Sequence, residues 1–233
     1  MSQFKKTIGV LGGMGPETTV DFFSRLIKIC ESKYNCKHDE DFPKIIIITA
    51  PIPPVVEKID DEKLLLQMLS DGIKNLISAG SDFISVPCNT VHFYFDEMQK
   101  FSSIPILNIV DETARRAKEQ GYKKVGILAT RTTIEKNLYK KFLDRYGIET
   151  INPNDDEIEK ISEAVYNIEQ GKLLETDLNK LKEVMKNLEE RGAEAVILGC
   201  TELPILIKQE DCETKVLDTT QILAERTVEY SVQ

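Results

Sequence analysis

The chain has no tryptophan and only two histidines, His38 and His92, among its 233 residues. So few imidazoles leave little room for a histidine-based metal centre, or for a nucleophile that needs an imidazole base at more than one position. Long apolar runs are missing too. None approaches the ~18 residues of a membrane span, and the opening MSQFKKTIGVLGG passes into a strand without the apolar core of a leader, so a cytoplasmic protein is expected. Positive charge is in deficit: 30 Lys and Arg against 39 Asp and Glu give a formal net charge of −9, with no basic cluster interleaved with aromatics. Such a surface repels a phosphate backbone, and nucleic acid is not the expected partner. The five cysteines, an odd number scattered along the chain, do not make the framework of a disulfide-stapled secreted domain and are expected to be reduced. Cys30 and Cys36 lack C-x-x-C spacing and have only His38 nearby; they read as packing or surface cysteines, as does Cys212.

What is present is 41% apolar content, in a length that suits one large domain or two small ones. Two stretches stand out. SDFISVPCNT ends in Cys88-Asn89-Thr90, and AEAVILGCTELP carries Cys200-Thr201-Glu202 in the matching place. Each is an apolar run of strand length that stops at a cysteine followed by small polar residues, the pattern of a buried parallel strand and its carboxyl end. Ligands of open α/β sheets gather at those ends. A single free cysteine is most often core filler, but packing gives no reason for both strands to end alike.

Along the chain, TIGVL is a short strand that stops at GGMGPETT. Gly12, Gly13 and Gly15 allow tight turns, and Pro16 followed by Glu17 suits the first turn of a helix. The loop departs from a dinucleotide fingerprint, since Thr18 stands where a third glycine belongs and KIIIIT ends without an acid, so the helix start reads as a cradle for a small carboxylate. Further on come strand 44–49, the breaker APIPP, an amphipathic helix over 62–79, the strand before Cys88, a helix over 91–101, strand IPILN, and a helix from Asp111 to just before Gly121. The plan then restarts. KKVGILATRTTIEKNLYKKFLDRYG repeats lysines, a glycine-bearing strand, a turn with hydroxyls and a single amphipathic helix; Gly9 and Gly126 lie 117 positions apart, Cys88 and Cys200 112 apart. These near-equal offsets point to an internal duplication. A strand over 148–152, helices over 155–169 and 175–191, the strand before Cys200, and a last strand and helix complete the second half. The expected fold class is α/β: two pseudo-symmetric lobes, each a roughly four-stranded parallel sheet flanked by helices, with an active site in the cleft between them. The expected lobes are 1–112, with 213–233 packing back on it, and 113–212.

Two thiols can act as nucleophile, redox pair, metal ligands or proton carriers. A Cys-His nucleophile finds His92 four residues after Cys88 but no counterpart near Cys200, and no zinc-ligand spacing recurs beside either thiol. A redox disulfide would require strand-end cysteines on opposite lobes to approach closely. Paired proton transfer remains, in which a thiolate at a helix start removes a proton from a carbon acid while a thiol on the other side returns one, inverting the centre.

TIGVLGGMGPETT, PCNT, ILAT, ERGAEAVILGCTE and the closing LDTT resemble the cofactor-independent aspartate/glutamate racemase superfamily, most closely its aspartate racemase branch, over the whole chain. The resemblance implies an isomerase acting on an amino acid, with no pyridoxal phosphate or other cofactor, no metal, and a homodimer. It implies that Cys88 and Cys200 are the acid/base thiols and that Asn89, Thr90, Thr130 and Thr201 hold the substrate's α-carboxylate and amino group, with Met14 in the matching glycine loop. Each of those Asn and Thr positions is also a common helix cap. The chain departs from its relatives where the side-chain carboxylate should be received: Val56 falls where an Arg is expected and Glu169 where a Lys is expected, unless Lys58 or Lys172 substitutes. The expected substrate is therefore aspartate or glutamate, with a neutral or basic amino acid as the rival. A non-enzymatic amino-acid-binding protein is the alternative of a different class, and it would not need both thiols.

Overall fold

The structure, a computed structural model, describes residues 3–52 and 61–233; Pro53, Pro54, Val56 and Lys58 lie outside the described residues. The chain runs β1 (Ile8–Gly12), α1 (Pro16–Tyr34), β2 (Ile45–Thr49), α2 (Glu62–Ser78), β3 (Phe83–Ser85), α3 (Phe95–Phe101), β4 (Ile106–Leu107) and α4 (Ile109–Glu119). It continues with β5 (Lys124–Leu128), α5 (Arg131–Glu135), α6 (Lys140–Arg145), β6 (Glu149–Ile151), α7 (Asp155–Glu169), α8 (Glu175–Glu190), β7 (Ala195–Leu198), α9 (Leu203–Leu206), β8 (Lys215–Asp218) and α10 (Thr219–Val232). All strand pairs are parallel, in two four-stranded sheets ordered β2-β1-β3-β4 and β6-β5-β7-β8. The α/β class with two flanked parallel sheets is thus as the sequence predicts, and the same strand order appears twice.

Two compact units result, one from residues 3–52, 61–109 and 220–233, the other from 110–219. The expected lobe edges were 112/113 and 212/213. β8 pairs with β7 and so lies in the second sheet, while α10, which follows it, packs in the first unit. There Thr227 Oγ1 meets Ser85 Oγ at 2.7 Å and the Tyr230 ring lies edge-on to Phe83 at 4.8 Å.

Close packing against the central strands explains the repeated glycines. A Cβ on Gly9 of β1 would lie 2.7 Å from Ser81 Oγ, and one on Gly126 of β5 would lie 3.1 Å from Leu188. In the second unit α7 begins with a full capping box, Asn154 Oδ1 accepting from the Glu157 N–H at 2.9 Å and Glu157 accepting from the Asn154 N–H at 2.8 Å. Glu157 is buried, and its charge is met by Arg191 Nη2 at 2.7 Å and Asn187 Nδ2 at 3.0 Å, which tie α7 to the end of α8. Ile161, Ala164 and Val165 of α7 and Leu181, Val184, Met185 and Leu188 of α8 pack with Leu128, Val196, Leu198 and Cys200 in one core. Each such Leu or Ile contributes about 1.5–3 kcal/mol by leaving water, so the strand end that bears Cys200 is anchored in this apolar core.

Two helices differ from expectation. The helix expected over 91–101 is a 3-10 turn, Thr90–Tyr94, followed by α3. The single helix expected after β5 is split into α5 and α6, because Asn137 takes a left-handed conformation with φ 50. Asn is the non-glycine residue that tolerates this region best, so the break costs little. Among the described residues no helix is long and apolar enough to cross a membrane.

Only Gly13 of the first glycine loop takes a positive φ, +98, and a Cβ there would lie 2.2 Å from the Ala50 carbonyl oxygen. Gly80 has a similar φ, +92, with nothing within 4 Å. Gly80→Ala is therefore expected to lose about 1 kcal/mol, the left-handed strain alone. Gly13→Ala should lose about 3 kcal/mol or more, because strain and backbone overlap add. Urea unfolding of the two variants checks the difference; equal losses would show that the Ala50 contact does not constrain the loop.

Candidate functional site

In both sheets the strand order reverses at the centre, between β1 and β3 and between β5 and β7, and these are the switch points at whose carboxyl ends open α/β sheets bind ligands. Met14 follows β1 and Cys88 follows β3; Thr130 follows β5 and Cys200 follows β7. Each unit thus brings its sequence-predicted residues to its own switch point. Met14, Asn89 and Thr90 are buried in the first unit, Thr130 and Thr201 in the second. Thr130 Oγ1 is buried without a hydrogen-bond partner at the N-cap of α5. A buried hydroxyl left unpaired costs about 1–3 kcal/mol, a cost that a polar group of a ligand would relieve.

The Cys88 turn is held from below. Its N–H donates to the Val86 carbonyl at 2.9 Å, and its own carbonyl lies 2.7 Å from His92 Nδ1, while His92 Nε2 is 3.4 Å from the Leu107 carbonyl. Burial pushes His92 down from its ordinary 6.5 to about 4, so the ring is neutral near pH 7 and has one proton to give. The shorter contact takes it: Nδ1–H donates to the Cys88 carbonyl. His92 is then neither a cation for a thiolate nor the base of a Cys-His pair, but a fastener of the turn that carries the thiol.

The Cys200 turn has a different neighbour. The Cys200 thiol donates to Glu202 Oε2 at 2.8 Å, and Thr201 Oγ1 donates to the same oxygen at 3.4 Å. Both Glu202 and Cys200 are buried. Tyr139, also buried, closes the other side: a Cβ on Gly199 would lie 3.1 Å from its Cε2, and its hydroxyl bonds with Thr219, which itself donates to the Leu198 carbonyl at 2.9 Å. Burial first, and then the negative charge that Cys200 can carry, push the Tyr139 phenol well above its ordinary range, with the Thr219 bond opposing them, so the phenol stays protonated. Among the described residues no group of three or more His, Cys, Asp or Glu side chains could hold a metal ion.

Comparison with known proteins identifies the family. The family model described as Asp/Glu/Hydantoin racemase matches residues 11–227. The chain belongs to that family. The broad specificity amino-acid racemase RacX of Bacillus subtilis (strain 168) is 30% identical over 221 residues, covering 95% of this chain and 96% of the relative. An aspartate racemase homologue from Pyrococcus horikoshii OT3 superimposes with a TM-score of 0.81 at 30% identity, covering 98% of this chain and 100% of that one. Picrophilus torridus aspartate racemase gives 0.84 at 27% identity, covering 97% and 94%. Membership makes the chain an isomerase of the amino-acid racemase type.

Within this racemase, two residues of the strand-end clusters went unassigned in the sequence. Glu202 was visible as the third residue of Cys-Thr-Glu but carried no role; Tyr139 was hidden in what read as an unbroken helix. Glu169 is exposed as the last residue of α7, unlike the other predicted site residues, which are buried. The expected activation by helix starts is reduced, since Cys88 precedes a 3-10 turn and Cys200 the four-residue α9, and the macrodipole of so short an element is small. Cys30 and Cys36 are buried packing residues; burial first, then Cys36, push the Cys30 thiol up to about 12.

His92 links this turn to pH. Its folded value, about 4, lies below the ordinary 6.5, so the unfolded chain binds the extra proton first as pH falls. The stability it contributes is present above about 6.5 and is lost progressively down to about 4. The stability advantage of wild type over His92→Gln, measured by urea unfolding, is expected to shrink across that window. An advantage independent of pH would contradict a buried neutral imidazole.

Proposed function

We propose that this racemase-family chain interconverts the enantiomers of a free amino acid by direct proton transfer, with Cys88 and Cys200 as the acid/base pair. One observation carries the reading: in two sheets of identical order, each thiol follows the strand on the same side of the switch point. The thiolate of one cysteine takes the α-proton, the C–H electron pair stays on the α-carbon and delocalises into the carboxylate, and the thiol of the other cysteine delivers its proton to the opposite face. The unpaired Thr130 hydroxyl, with Asn89, Thr90 and Thr201, supplies polar atoms for the carboxylate and amino group, and Met14 borders the glycine loop. The same reading includes assembly as a homodimer, which sedimentation would test.

The substrate class divides into two readings. The archaeal relatives favour aspartate. The Bacillus relative favours broad specificity, and Glu169 favours it too, because a carboxylate at that position would repel an acidic side chain and attract a basic one. We give broad specificity as the second reading.

Pure protein incubated with single L-amino acids in deuterated water, without pyridoxal phosphate, should yield α-deuterium and the D-enantiomer. Cys88→Ser and Cys200→Ser should each reduce inversion by about a thousandfold, as removal of an essential proton carrier does. Full racemisation by either variant would sink the two-thiol scheme. In a substrate panel, turnover of lysine, arginine and neutral amino acids comparable to that of aspartate, shifted toward aspartate in Glu169→Ala, is the outcome of the second reading. Aspartate turnover far above the rest and unchanged by Glu169→Ala would defeat it.

A further inference from the structure

The two strand-end clusters are alike in position and unlike in charge. Cys88-Asn89-Thr90 has a neutral hydroxyl where Cys200-Thr201-Glu202 has a carboxylic acid. Glu202 stands at the N-cap of α9, where an acidic side chain would ordinarily accept from the first-turn N–H groups; it makes no such bond, and Pro204 takes one of those donors away. The carboxylate turns instead to the sulfur of Cys200, which donates to it at 2.8 Å, and Thr201 donates to the same oxygen at 3.4 Å. Tyr139, a further titratable group against Cys200, is held as a neutral phenol. A 2.8 Å contact between these two groups needs one proton between them, and because a carboxyl is ordinarily the stronger acid of the two, that proton sits on sulfur. Ionising Cys200 beside an ionised Glu202 would bring two negative charges together in a buried setting.

We propose that Glu202 is the proton-holding partner of Cys200: it keeps this thiol protonated at rest, so that the resting enzyme offers its proton donor at Cys200 and its base at Cys88. The inference rests on the two-thiol reading above and deepens it. After one turnover in the forward sense, Cys88 holds the abstracted proton and Cys200 is a thiolate. Glu202 then favours reprotonation of Cys200, either by the α-proton of a substrate of the other hand while Cys88 delivers its proton to the opposite face, or from water by way of its own carboxyl while Cys88 releases its proton to solvent. Glu202 acts on the reaction through Cys200 and is a positioning residue for the proton.

The test uses iodoacetamide, which alkylates thiolates, together with deuterium exchange in wild type, Glu202→Gln and Glu202→Asp. In wild type Cys88 should be alkylated ahead of Cys200. In Glu202→Gln, alkylation of Cys200 should rise about tenfold as the like charge is removed, while that of Cys88, the internal control for folding, stays as it was. Inversion should fall in both directions, yet α-deuterium should still enter one enantiomer without inversion, because Cys88 can remove and return a proton on its own face. Glu202→Asp should lie between the two, and decides the matter if Glu202→Gln does not fold. Cys200 alkylation that is unchanged or slower in both variants would overturn the proposal. Full inversion by Cys88→Ser would instead overturn the two-thiol reading, and the labelling arm does not depend on turnover.

Discussion

A parallel sheet whose order reverses in the middle must send the connections of its two central strands to opposite faces, and the gap this leaves lies at the carboxyl ends of those strands. Here that constraint operates twice. β1 and β3 pair from Ile8–Phe83 to Val10–Ser85, and β5 and β7 from Val125–Ala195 to Leu128–Leu198. What packs over these strands leaves little room for a side chain at one position of each first strand, Gly9 against Ser81 in one and Gly126 against Leu188 of α8 in the other. The segments that follow are then fixed in place: the Gly13 loop and the Cys88 turn in one unit, the Thr130 turn and the Cys200 turn in the other. Chemistry placed there inherits the rigidity of the sheet.

Duplication explains why the two units agree in strand order, and it equally exposes where they have diverged. His92 secures the Cys88 turn through the backbone as a neutral ring, its burial lowering it from 6.5 to about 4. No histidine follows Cys200; its turn is secured by the apolar core of α7 and α8 and by Tyr139, and its thiol is addressed directly by Glu202. A pseudo-symmetric frame with unlike acids and bases suits a reaction whose two faces are mirror images but whose proton must start on one of them.

Much of this frame was legible in the sequence because short apolar runs bounded by breakers have few readings. The helix expected over 155–169 has those bounds, and in the structure Asn154 and Glu157 form a capping box that fixes its start. The two breaks in the expected helices have local causes that an apolar pattern does not carry. Asn137 takes a left-handed conformation that sequence associates with glycine, and the turn after Cys88 is 3-10 because its residues pack for burial rather than for helical periodicity. Burial hid the site partners as well. Tyr139 reaches Gly199 and Thr219 across the fold, a contact no spacing announces, whereas Glu202 lies two residues from Cys200 and needed only the direction of its side chain, which as an N-cap would have pointed elsewhere.

That direction matters because of the magnitudes involved. A helix terminus favours an adjacent thiolate by about 0.3–1 kcal/mol, and elements as short as α9 fall at the low end. A carboxylate within ~4 Å opposes a second negative charge by about 4 kcal/mol at the effective dielectric of a protein surface, and by more when both groups are buried as Cys200 and Glu202 are. The nearer charge wins. Whatever favours a thiolate at the end of β7 must overcome Glu202, while the end of β3 has the neutral Thr90 in that place of the motif. The asymmetry of a proton pair can therefore be set by one residue of a three-residue motif, without any change in the sheet that holds it.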